Sequence, residues 1–405
     1  MAASIDVTTE VIRDRSATIV GLNAAAASES IRVAFKIEAP FEPNELAVTE
    51  AALLASVALA MQRRCALRLR GKVSRSLRHS IDLYQKTCSG WWPHRYRPIP
   101  IEVDVVDDAP PASARGLLCF SGGLDSIYSA RHLVPPRQIE AALLVAGYDL
   151  DPGGPGQRQQ RLRIARLVDR LGLAMLVIDT DVRQVLGQKV IEGAQGSYLA
   201  AALTLLSDQF GRGFVSSGVI DLVDLGVSDP VHEATMPLLG SARFPILVYG
   251  GQVSRLEKLA EIGAIPELFG DVRVCLERAD DGHCKRCPKC LLNAFASVAL
   301  TGRWPPWYPE SAFDASYVAA MRPSETRRRY SQQILKLATD NGIDGSWRAA
   351  LASHIGGAPC GEPAAAAAGP HRGHNGEGTR SSDSNAPLPK DSTLTFRNSV
   401  PPAPG

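Results

Sequence analysis

The sequence has few aromatic residues and little net charge. Phe, Trp and Tyr make up 6% of its 405 residues, and the formal net charge is +2 at pH 7. Such a small net charge gives no overall attraction to nucleic acid or to a membrane surface. No apolar run is evidently long enough to span a bilayer, and Met1–Arg15 carries charges without the apolar core of a signal peptide. These absences predict a soluble, cytoplasmic, globular protein without a membrane partner.

The sequence also lacks the GxxxxGK[ST] phosphate-binding motif, but it contains a different strand–turn–helix pattern. Leu117–Cys119 belongs to an apolar run typical of a buried parallel strand, and Ser121–Gly123 form a tight turn before a helix. The two glycines let a ligand approach the backbone, and the helix N-terminus favours an anion. Ser121 and Ser126 add hydroxyl donors, and Asp125 is a candidate helix cap or cation ligand. This pattern predicts a phosphate-binding turn, with an ordinary strand-to-helix turn as the alternative.

Four of the eight cysteines lie close together in the pattern C-x8-C-x2-C-x2-C. Thiolates at this spacing can surround one metal ion, and a closed shell of four thiolates is typical of structural zinc. An iron–sulfur cluster uses the same ligands and stays an alternative. Such clustering favours a metal site in a reducing compartment over a disulfide framework. The predicted metal ligands are Cys275, Cys284, Cys287 and Cys290.

Strands and helices alternate after the predicted turn. Apolar runs at 141–145, 174–179 and 214–218 are typical of buried strands, and the segments at 157–171 and 198–210 have helical spacing. The alternation predicts an α/β fold with a doubly wound parallel sheet, in which ligands bind at the carboxyl ends of the strands.

Polar residues near the predicted carboxyl edge are candidates for binding a substrate amine or magnesium. An ordinary surface loop explains the same residues, and Arg255 at a predicted helix start is either a phosphate-neutralising cation or a solvated residue. The substrate loop begins at Gly218, and its polar candidates are Asp221, Asp224 and Asp229, with His232 and Glu233 in the same loop.

The remaining segments predict a domain order. Residues 1–28 show little periodicity and are expected to be a loosely ordered leader. Residues 29–108 predict a small α/β module, with strands at 31–37, 66–70 and 99–106 and helices at 44–65 and 73–88. Residues 306–354 have helical spacing. The tail, 355–405, is rich in Gly, Pro, Ala, Ser and Asn and is expected to be disordered.

The predicted N-terminal module is rich in arginine next to aromatic residues. Arg68, Arg70 and Arg75 precede Trp91 and Trp92. Arginine beside aromatic rings can bind single-stranded RNA by charge and stacking. A solvated basic face and a tryptophan-rich turn packed on the next domain explain the same residues, and this simpler interpretation is favoured because no RNA-binding motif accompanies them.

The string Ser121-Gly122-Gly123-Leu124-Asp125-Ser126, followed about 150 residues later by the four cysteines, resembles the PP-loop (N-type) ATP pyrophosphatases. Among these it is similar to the 7-cyano-7-deazaguanine synthase or ExsB-like family over residues 115–305. The resemblance implies an adenine nucleotide alpha hydrolase-like fold. The sequence departs from the family where Gly196–Tyr198 replaces Gly-Arg-Asn, where Arg255 replaces a lysine, and in the loop 226–232. These departures fall on the substrate pocket.

The resemblance implies an AMP-forming, ATP-dependent C–N ligase that uses Mg²⁺ and Zn²⁺. A carboxylate would attack the α-phosphate, pyrophosphate would leave, and ammonia or an amine would capture the adenylate; a homodimer is also implied. The alternatives are a modifier of tRNA, DNA or protein, with the N-terminal module docking the macromolecule, and an ATP-binding regulator without turnover. The implied catalytic residues are Asp125, Ser126 and Arg255. The implied ATP-binding residues are Phe120, Ser121, Gly122, Gly123, Leu124, Asp125, Ser126, Ile127, Tyr128, Ser129 and Ala130.

Overall fold

One mixed sheet lies at the centre of the protein in the computed structural model. The structure describes residues 4–13, 15–26, 29–38, 41–148, 154–218, 229–275, 277, 282–322 and 324–356. The strands are β1 (Ser4–Arg13), β2 (Thr18–Ala26), β3 (Glu29–Ile37), β4 (Ala66–Ser74), β5 (Ile101–Val106), β6 (Gly116–Cys119), β7 (Ala141–Ala146), β8 (Ala174–Thr180), β9 (Arg212–Ser216) and β10 (Ile246–Tyr249). The helices are α1 (Glu45–Arg63), α2 (Arg75–Trp91), α3 (Leu124–Leu133), α4 (Pro155–Arg170), α5 (Val182–Leu186), α6 (Gln188–Thr204), α7 (Arg255–Gly263), α8 (Pro266–Phe269), α9 (Pro288–Thr301), α10 (Ala315–Ala319), α11 (Glu325–Asp340) and α12 (Ser346–Gly356).

The strand order of the sheet is β10-β9-β6-β7-β8-β3-β2-β1-β4-β5. The pairs β1–β2, β2–β3 and β3–β8 are antiparallel, and the other pairs are parallel. From β8 to β10 the strands follow the order 3-2-1-4-5 of a doubly wound sheet, which reverses direction at its first strand. The predicted α/β class with a mostly parallel sheet is therefore confirmed.

The N-terminal residues correct two predictions about the domain order. Within the predicted loose leader, Ser4–Arg13 and Thr18–Ala26 instead form an antiparallel pair of strands. The predicted module at 29–108 is not separate, because β3 pairs with β8 and so joins both halves into one sheet. The second prediction was wrong because β8, the partner of β3, lies far away in the sequence, and local periodicity does not reveal such pairing. The first was wrong because the Thr- and Ala-rich strands β1 and β2 show weak periodicity, although they pair with each other as sequence neighbours.

Most of the locally predicted elements are confirmed, with shifted ends. The largest shift is in α6, which begins at Gln188, whereas its helical pattern was expected from Tyr198. Strand β10 was not predicted. The helical segment at 306–354 is confirmed by α10, α11 and α12. Of the expected disordered tail, Ile355 and Gly356 belong to α12, and residues 357–405 lie outside the described residues.

Apolar residues cover both faces of the doubly wound part of the sheet. Leu117 and Leu118 are both fully buried, but they belong to core clusters on opposite faces of β6. The first cluster packs the sheet against α1 and α6, and the second packs it against α3, α4, α9 and α11. Burial on both faces explains why β6 and β7 are continuous apolar runs rather than alternating ones.

Helix α1 is a core helix, although its composition would suit a membrane. Contrary to the expectation from sequence, Glu45–Arg63 is long and apolar enough to cross a bilayer. However, 83% of its apolar stretch is buried inside the fold. Asn44 caps its first turn, because the Asn44 side chain accepts a hydrogen bond from the Ala47 amide at 2.8 Å. The helix contacts β4, β1 and α6, so it covers the N-terminal strands and also the doubly wound part.

The junction between β3 and β8 yields a prediction about stability. The Asp181 carboxylate accepts a hydrogen bond from the Ala34 amide at 2.8 Å, just beyond the last paired residues of the two strands. We expect Asp181→Ala to lower the free energy of unfolding by about 1–3 kcal/mol, because a buried amide loses its acceptor. Asp181→Asn keeps an acceptor oxygen and should stay close to wild type. Urea denaturation of the three proteins measures the difference, and equal losses in both variants would contradict this role.

Candidate functional site

The Ser-Gly-Gly turn lies where the strand order of the sheet reverses. Strand β6 pairs in parallel with β7 on one side and with β9 on the other, and the turn follows β6 directly. In open α/β sheets, ligands bind in the crevice at this point, beyond the carboxyl ends of the strands. Helix α3 begins at Leu124 immediately after the turn. The predicted strand–turn–helix arrangement is therefore present at a ligand-binding position of the sheet.

The backbone of the turn needs glycine. Gly122 has φ +71°, and a Cβ atom there would lie 3.1 Å from the Cγ1 atom of Ile164. The Ser121 hydroxyl accepts a hydrogen bond from the Gly123 amide at 3.3 Å, which stabilises the tight turn. The first amides of α3, from Leu124 onward, have no acceptor within the helix. A turn of this shape and a helix N-terminus together can bind an anion.

The implied ATP-binding residues divide into those whose side chains stabilise the fold and those that a ligand at the turn could contact. Tyr128 is largely buried beside His132, and Ser126 and Ser129 donate their hydroxyl hydrogens to the carbonyls of Gly123 and Asp125 at 2.9 and 3.0 Å. These side chains stabilise the start of α3, so a ligand at the turn would meet mainly backbone amides, Ser121 and Asp125. The side chains that are packed into the core are Phe120, Leu124, Ile127 and Ala130.

Two cations from α7 contact the carboxylate of Asp125. Arg255 Nη1 lies 2.9 Å from Asp125 Oδ2, and Lys258 Nζ lies 3.4 Å from Asp125 Oδ1. Lys258 Nζ also donates to the carbonyl oxygen of Ser217 at 2.8 Å, at the carboxyl end of β9. Ser254 caps α7 with a capping box and so fixes the first turn that carries Arg255. The predicted residues Asp125 and Arg255 are thus brought together, and Lys258 joins them.

The protonation of this cluster is set by burial and by its internal charges. Burial alone would raise the pKa of Asp125, but the Arg255 and Lys258 cations outweigh it and lower that pKa below its ordinary value. For Lys258, which is 1% exposed, burial lowers the pKa although Asp125 acts in the opposite direction. Burial raises the pKa of the neighbouring Tyr330 to about 12. Asp125 is therefore ionised at neutral pH and compensates the cations.

Sequence reasoning missed Lys258, Asn293 and Tyr330. Asn293 on α9 accepts a hydrogen bond from Arg255 Nε at 3.4 Å, and Tyr330 on α11 lies beside Arg255. Lys258 follows Arg255 by three residues and so lies on the same side of α7. That spacing was the available signal for Lys258. Asn293 and Tyr330 come from distant helices and carried no comparable local signal.

The predicted substrate residues are only partly described. Asp221 and Asp224 lie outside the described residues. Gly218 follows β9 next to Ser217, and the Asp229 carboxylate accepts a hydrogen bond from the Val231 amide at 2.7 Å, within its own loop.

The neighbouring candidates His232 and Glu233 differ in their surroundings. His232 is buried, its Nδ1 atom accepts from the Ala234 amide at 2.9 Å, and its ring packs on Trp91. Glu233 lies against Gly251, where a Cβ atom would come within 2.2 Å of Glu233 Oε1. Electrostatic contact of Glu233 with Lys258 places this acid near the cation cluster.

The four predicted metal ligands lie together. The Sγ atoms of Cys275, Cys284, Cys287 and Cys290 all lie within 4.8 Å of one another, and those of Cys284 and Cys290 are 3.9 Å apart. Tetrahedral zinc with Zn–S bonds of about 2.3 Å would place its sulfur atoms about 3.8 Å apart. The cluster fits a four-thiolate metal ion and leaves no coordination position for a substrate.

Backbone amides surround the cysteine sulfurs. The amides of Cys284 and Cys287 donate to the Sγ atoms of Cys275 and Cys284 at 3.4 and 3.2 Å, and Lys285 has a left-handed φ of +63° that tightens the turn between them. Cys287 then caps α9, because its Sγ accepts from the Cys290 amide. N–H donors of this kind stabilise the negative charge of thiolates, as a metal site requires.

Two of the three arginines named above in the N-terminal segment are paired with acids. Arg68 lies 2.9 Å from Glu102, and Arg75 lies 2.8 Å from Asp107. The tryptophan-rich turn packs onto the fold, since the rings of Trp92 and Tyr96 are 5.9 Å apart and the Tyr96 hydroxyl donates to the Gly193 carbonyl at 2.6 Å. These contacts agree with a paired surface and a packed turn.

The cysteine cluster predicts one bound metal ion per chain. We expect the purified protein to be colourless and to contain about one zinc, because four thiolates close the tetrahedral shell. Cys275→Ser should lose most of the metal, whereas Cys65→Ser, a half-buried cysteine elsewhere, should keep it. Elemental analysis measures both. A brown protein containing iron and acid-labile sulfide would contradict the zinc assignment in favour of a cluster.

The buried ion pairs predict a pH-dependent effect of Asp125→Asn. We expect this variant to lose about 3 kcal/mol of stability at neutral pH, because it leaves the Lys258 ammonium buried without its counter-charge. The ionised form of Asp125 stabilises the fold above its ordinary pKa of 3.8, and this contribution is lost as the pH falls through the lowered folded-state pKa. The difference in the free energy of unfolding between Asp125→Asn and wild type should therefore become smaller below about pH 4.

Denaturant titrations at several pH values measure this gap, with Asp107→Asn as the matched control. Asp107 forms an exposed ion pair with Arg75, so its variant should change stability by less than about 1 kcal/mol. Equal effects of the two variants would show that the Asp125 pairs contribute no more than a surface pair.

The candidate site combines a Ser-Gly-Gly turn at a helix N-terminus, two cations on α7 and a separate four-cysteine cluster. No family model matches the sequence, and no curated protein matches it. The assignment of a chemistry to this site therefore depends on its own residues.

Proposed function

We propose that the chain binds MgATP at the Ser-Gly-Gly turn and uses it to adenylate a carboxylate, releasing pyrophosphate. The observation that carries this proposal is the contact of Arg255 and Lys258 with Asp125, in the first turn of the helix that follows the phosphate-type turn. Positive groups from α7 thereby lie beside an anion-binding helix N-terminus at the switch point of a doubly wound sheet. Membership of the PP-loop ATP pyrophosphatases is part of the same proposal.

Arg255 is the cation that a phosphate would contact. Its side chain is 15% exposed, whereas that of Lys258 is 1% exposed. Lys258 is therefore buried behind the site. It connects Asp125 to the end of β9 and adds positive potential without direct contact with a phosphate. Magnesium bound with ATP supplies further charge neutralisation on the phosphate oxygens.

The proposed reaction has two steps. A carboxylate oxygen attacks the α-phosphorus, the bond from that phosphorus to the bridging oxygen breaks, and pyrophosphate leaves. Ammonia or an amine then attacks the acyl carbon, AMP leaves, and the nitrogen loses a proton. The protein contributes by aligning the reactants and by stabilising the charge that develops on pyrophosphate, which is the task assigned to the turn amides and Arg255.

We propose 7-carboxy-7-deazaguanine and ammonia as the first substrates to test, on the resemblance of the turn and of the cysteine pattern. Ammonia would give an amide. A second adenylation, at the amide oxygen, releases pyrophosphate, and loss of AMP with that oxygen and of a proton from nitrogen would give a nitrile. In this proposal zinc only holds the cysteine knuckle, because four thiolates leave no open position. A cytoplasmic location and a homodimer belong to the same proposal.

The decisive experiment is a nucleotide product analysis with purified protein, MgATP, ammonia and 7-carboxy-7-deazaguanine. We expect AMP and pyrophosphate in equal amounts, with the amide or nitrile detected by mass spectrometry. Arg255→Met should lower kcat/KM by about 100-fold, the usual effect of removing one charge-stabilising donor. The matched control is Arg131→Met, because Arg131 pairs with Glu261 in a half-exposed position away from the turn.

Other outcomes point to the alternative functions. AMP formed only with another acid, or with tRNA, DNA or a protein, would show that the same adenylation serves a different acceptor. ATP binding without nucleotide consumption would support a regulator without turnover. Equal activity of Arg255→Met and wild type would contradict the role given to Arg255.

A further inference from the structure

Two separate contacts connect the cysteine cluster to the proposed phosphate site. The first runs through the backbone before the first cysteine. Arg273 lies two residues before Cys275, and its amide donates a hydrogen bond to the carbonyl oxygen of Gly122 at 3.0 Å. Gly122 is the residue with positive φ in the Ser-Gly-Gly turn. A shift of Cys275 would therefore move the Arg273 amide and change its hydrogen bond to the turn.

The second contact runs through α9, which begins at the cysteine knuckle. Asn293 is 2% exposed and lies three residues after Cys290 on this helix. Its Oδ1 atom accepts from Arg255 Nε at 3.4 Å, and its Nδ2 atom donates to the Lys289 carbonyl at 2.6 Å. The amide is thus oriented by the first turn of α9, so it presents a fixed acceptor to the proposed phosphate-binding arginine.

A bound metal ion would fix the segment before Cys275 and the start of α9 relative to each other, and each of these carries one of the two contacts. The segment from Val272 to Cys275 forms neither helix nor strand, so no ladder of hydrogen bonds fixes it. Four thiolates around one ion fix Cys275 relative to Cys290. Without the ion, no bond holds Cys275 to Cys290, and the segment that contacts Gly122 loses its anchor to α9.

We infer that metal binding at the four cysteines and ATP binding at the Ser-Gly-Gly turn are coupled, each raising the affinity for the other. Asn293 is the positioning residue of the side-chain route, through Arg255. The inference rests on the proposed function only in taking ATP as the ligand of the turn. Coupling of this kind is reciprocal: the factor by which metal strengthens ATP binding equals the factor by which ATP strengthens metal binding.

The test measures the zinc affinity of the full-length, zinc-loaded protein by equilibrium competition with a chelating dye, with and without saturating MgATP. We expect MgATP to raise the zinc affinity by at least about fivefold, the lower end of typical coupling factors. In Asn293→Ala, the zinc affinity without ATP should match wild type, but the gain from MgATP should fall to less than half of the wild-type factor. A purely structural role of Asn293 would instead lower the zinc affinity without ATP.

Asn341→Ala is the matched control. The Asn341 side chain donates to the carbonyl of Ala299 at 2.9 Å, so it also contacts α9, but at the end of the helix away from the cysteines. This variant should keep the full effect of MgATP. Loss of the effect in both variants would overturn the specific role of Asn293.

Equilibrium dialysis of MgATP against the same zinc-loaded protein separates the two proposals. If MgATP does not bind, the proposed function fails and this inference fails with it. If MgATP binds but leaves the zinc affinity unchanged, the inference alone is overturned. Binding together with a higher zinc affinity in wild type and Asn341→Ala, and a reduced gain in Asn293→Ala, supports both.

Discussion

Burial of the Lys258 ammonium group is the constraint on which the geometry at the carboxyl ends of the parallel strands depends. An ammonium that is 1% exposed needs a counter-charge and hydrogen-bond acceptors, because an unpaired buried charge costs several kcal/mol. Its partners are Asp125 at the start of α3 and the Ser217 carbonyl at the end of β9. One cation thereby fixes two elements on either side of the switch point relative to α7, and Arg255 on the same helix is placed by the same contacts.

The N-terminal strands solve a second problem of the same sheet. Strand β8 would be the edge of the doubly wound part, and an open edge invites pairing with other chains. Strand β3 pairs with it in antiparallel orientation, and β2, β1, β4 and β5 continue the sheet beyond. Strands β1 to β5 therefore extend the doubly wound sheet rather than form a separate module, and α1 packs across the junction through its contacts with α6.

Local patterns predicted the parts of the site that are encoded locally. The turn at Ser121–Gly123 and the four-cysteine cluster depend on glycines and on spacing, so both were visible in the sequence. Strands β1 and β2 were missed because Thr- and Ala-rich strands show weak periodicity, although the two strands pair with each other as sequence neighbours. Lys258 was missed for a different reason: a lysine on an amphipathic helix looks solvated until a distant carboxylate is folded onto it.

The position of Asp125 also decides its role at a phosphate site. An aspartate after a glycine turn is an obvious candidate ligand for magnesium, but both oxygens of this carboxylate already have cationic partners, at 2.9 and 3.4 Å. Binding a divalent ion here would add a third cation to the same carboxylate and would weaken the pairing of buried Lys258. In the proposed function, Asp125 would therefore orient Arg255 toward the phosphates. Magnesium would be held mainly by phosphate oxygens and water, as is common for this ion.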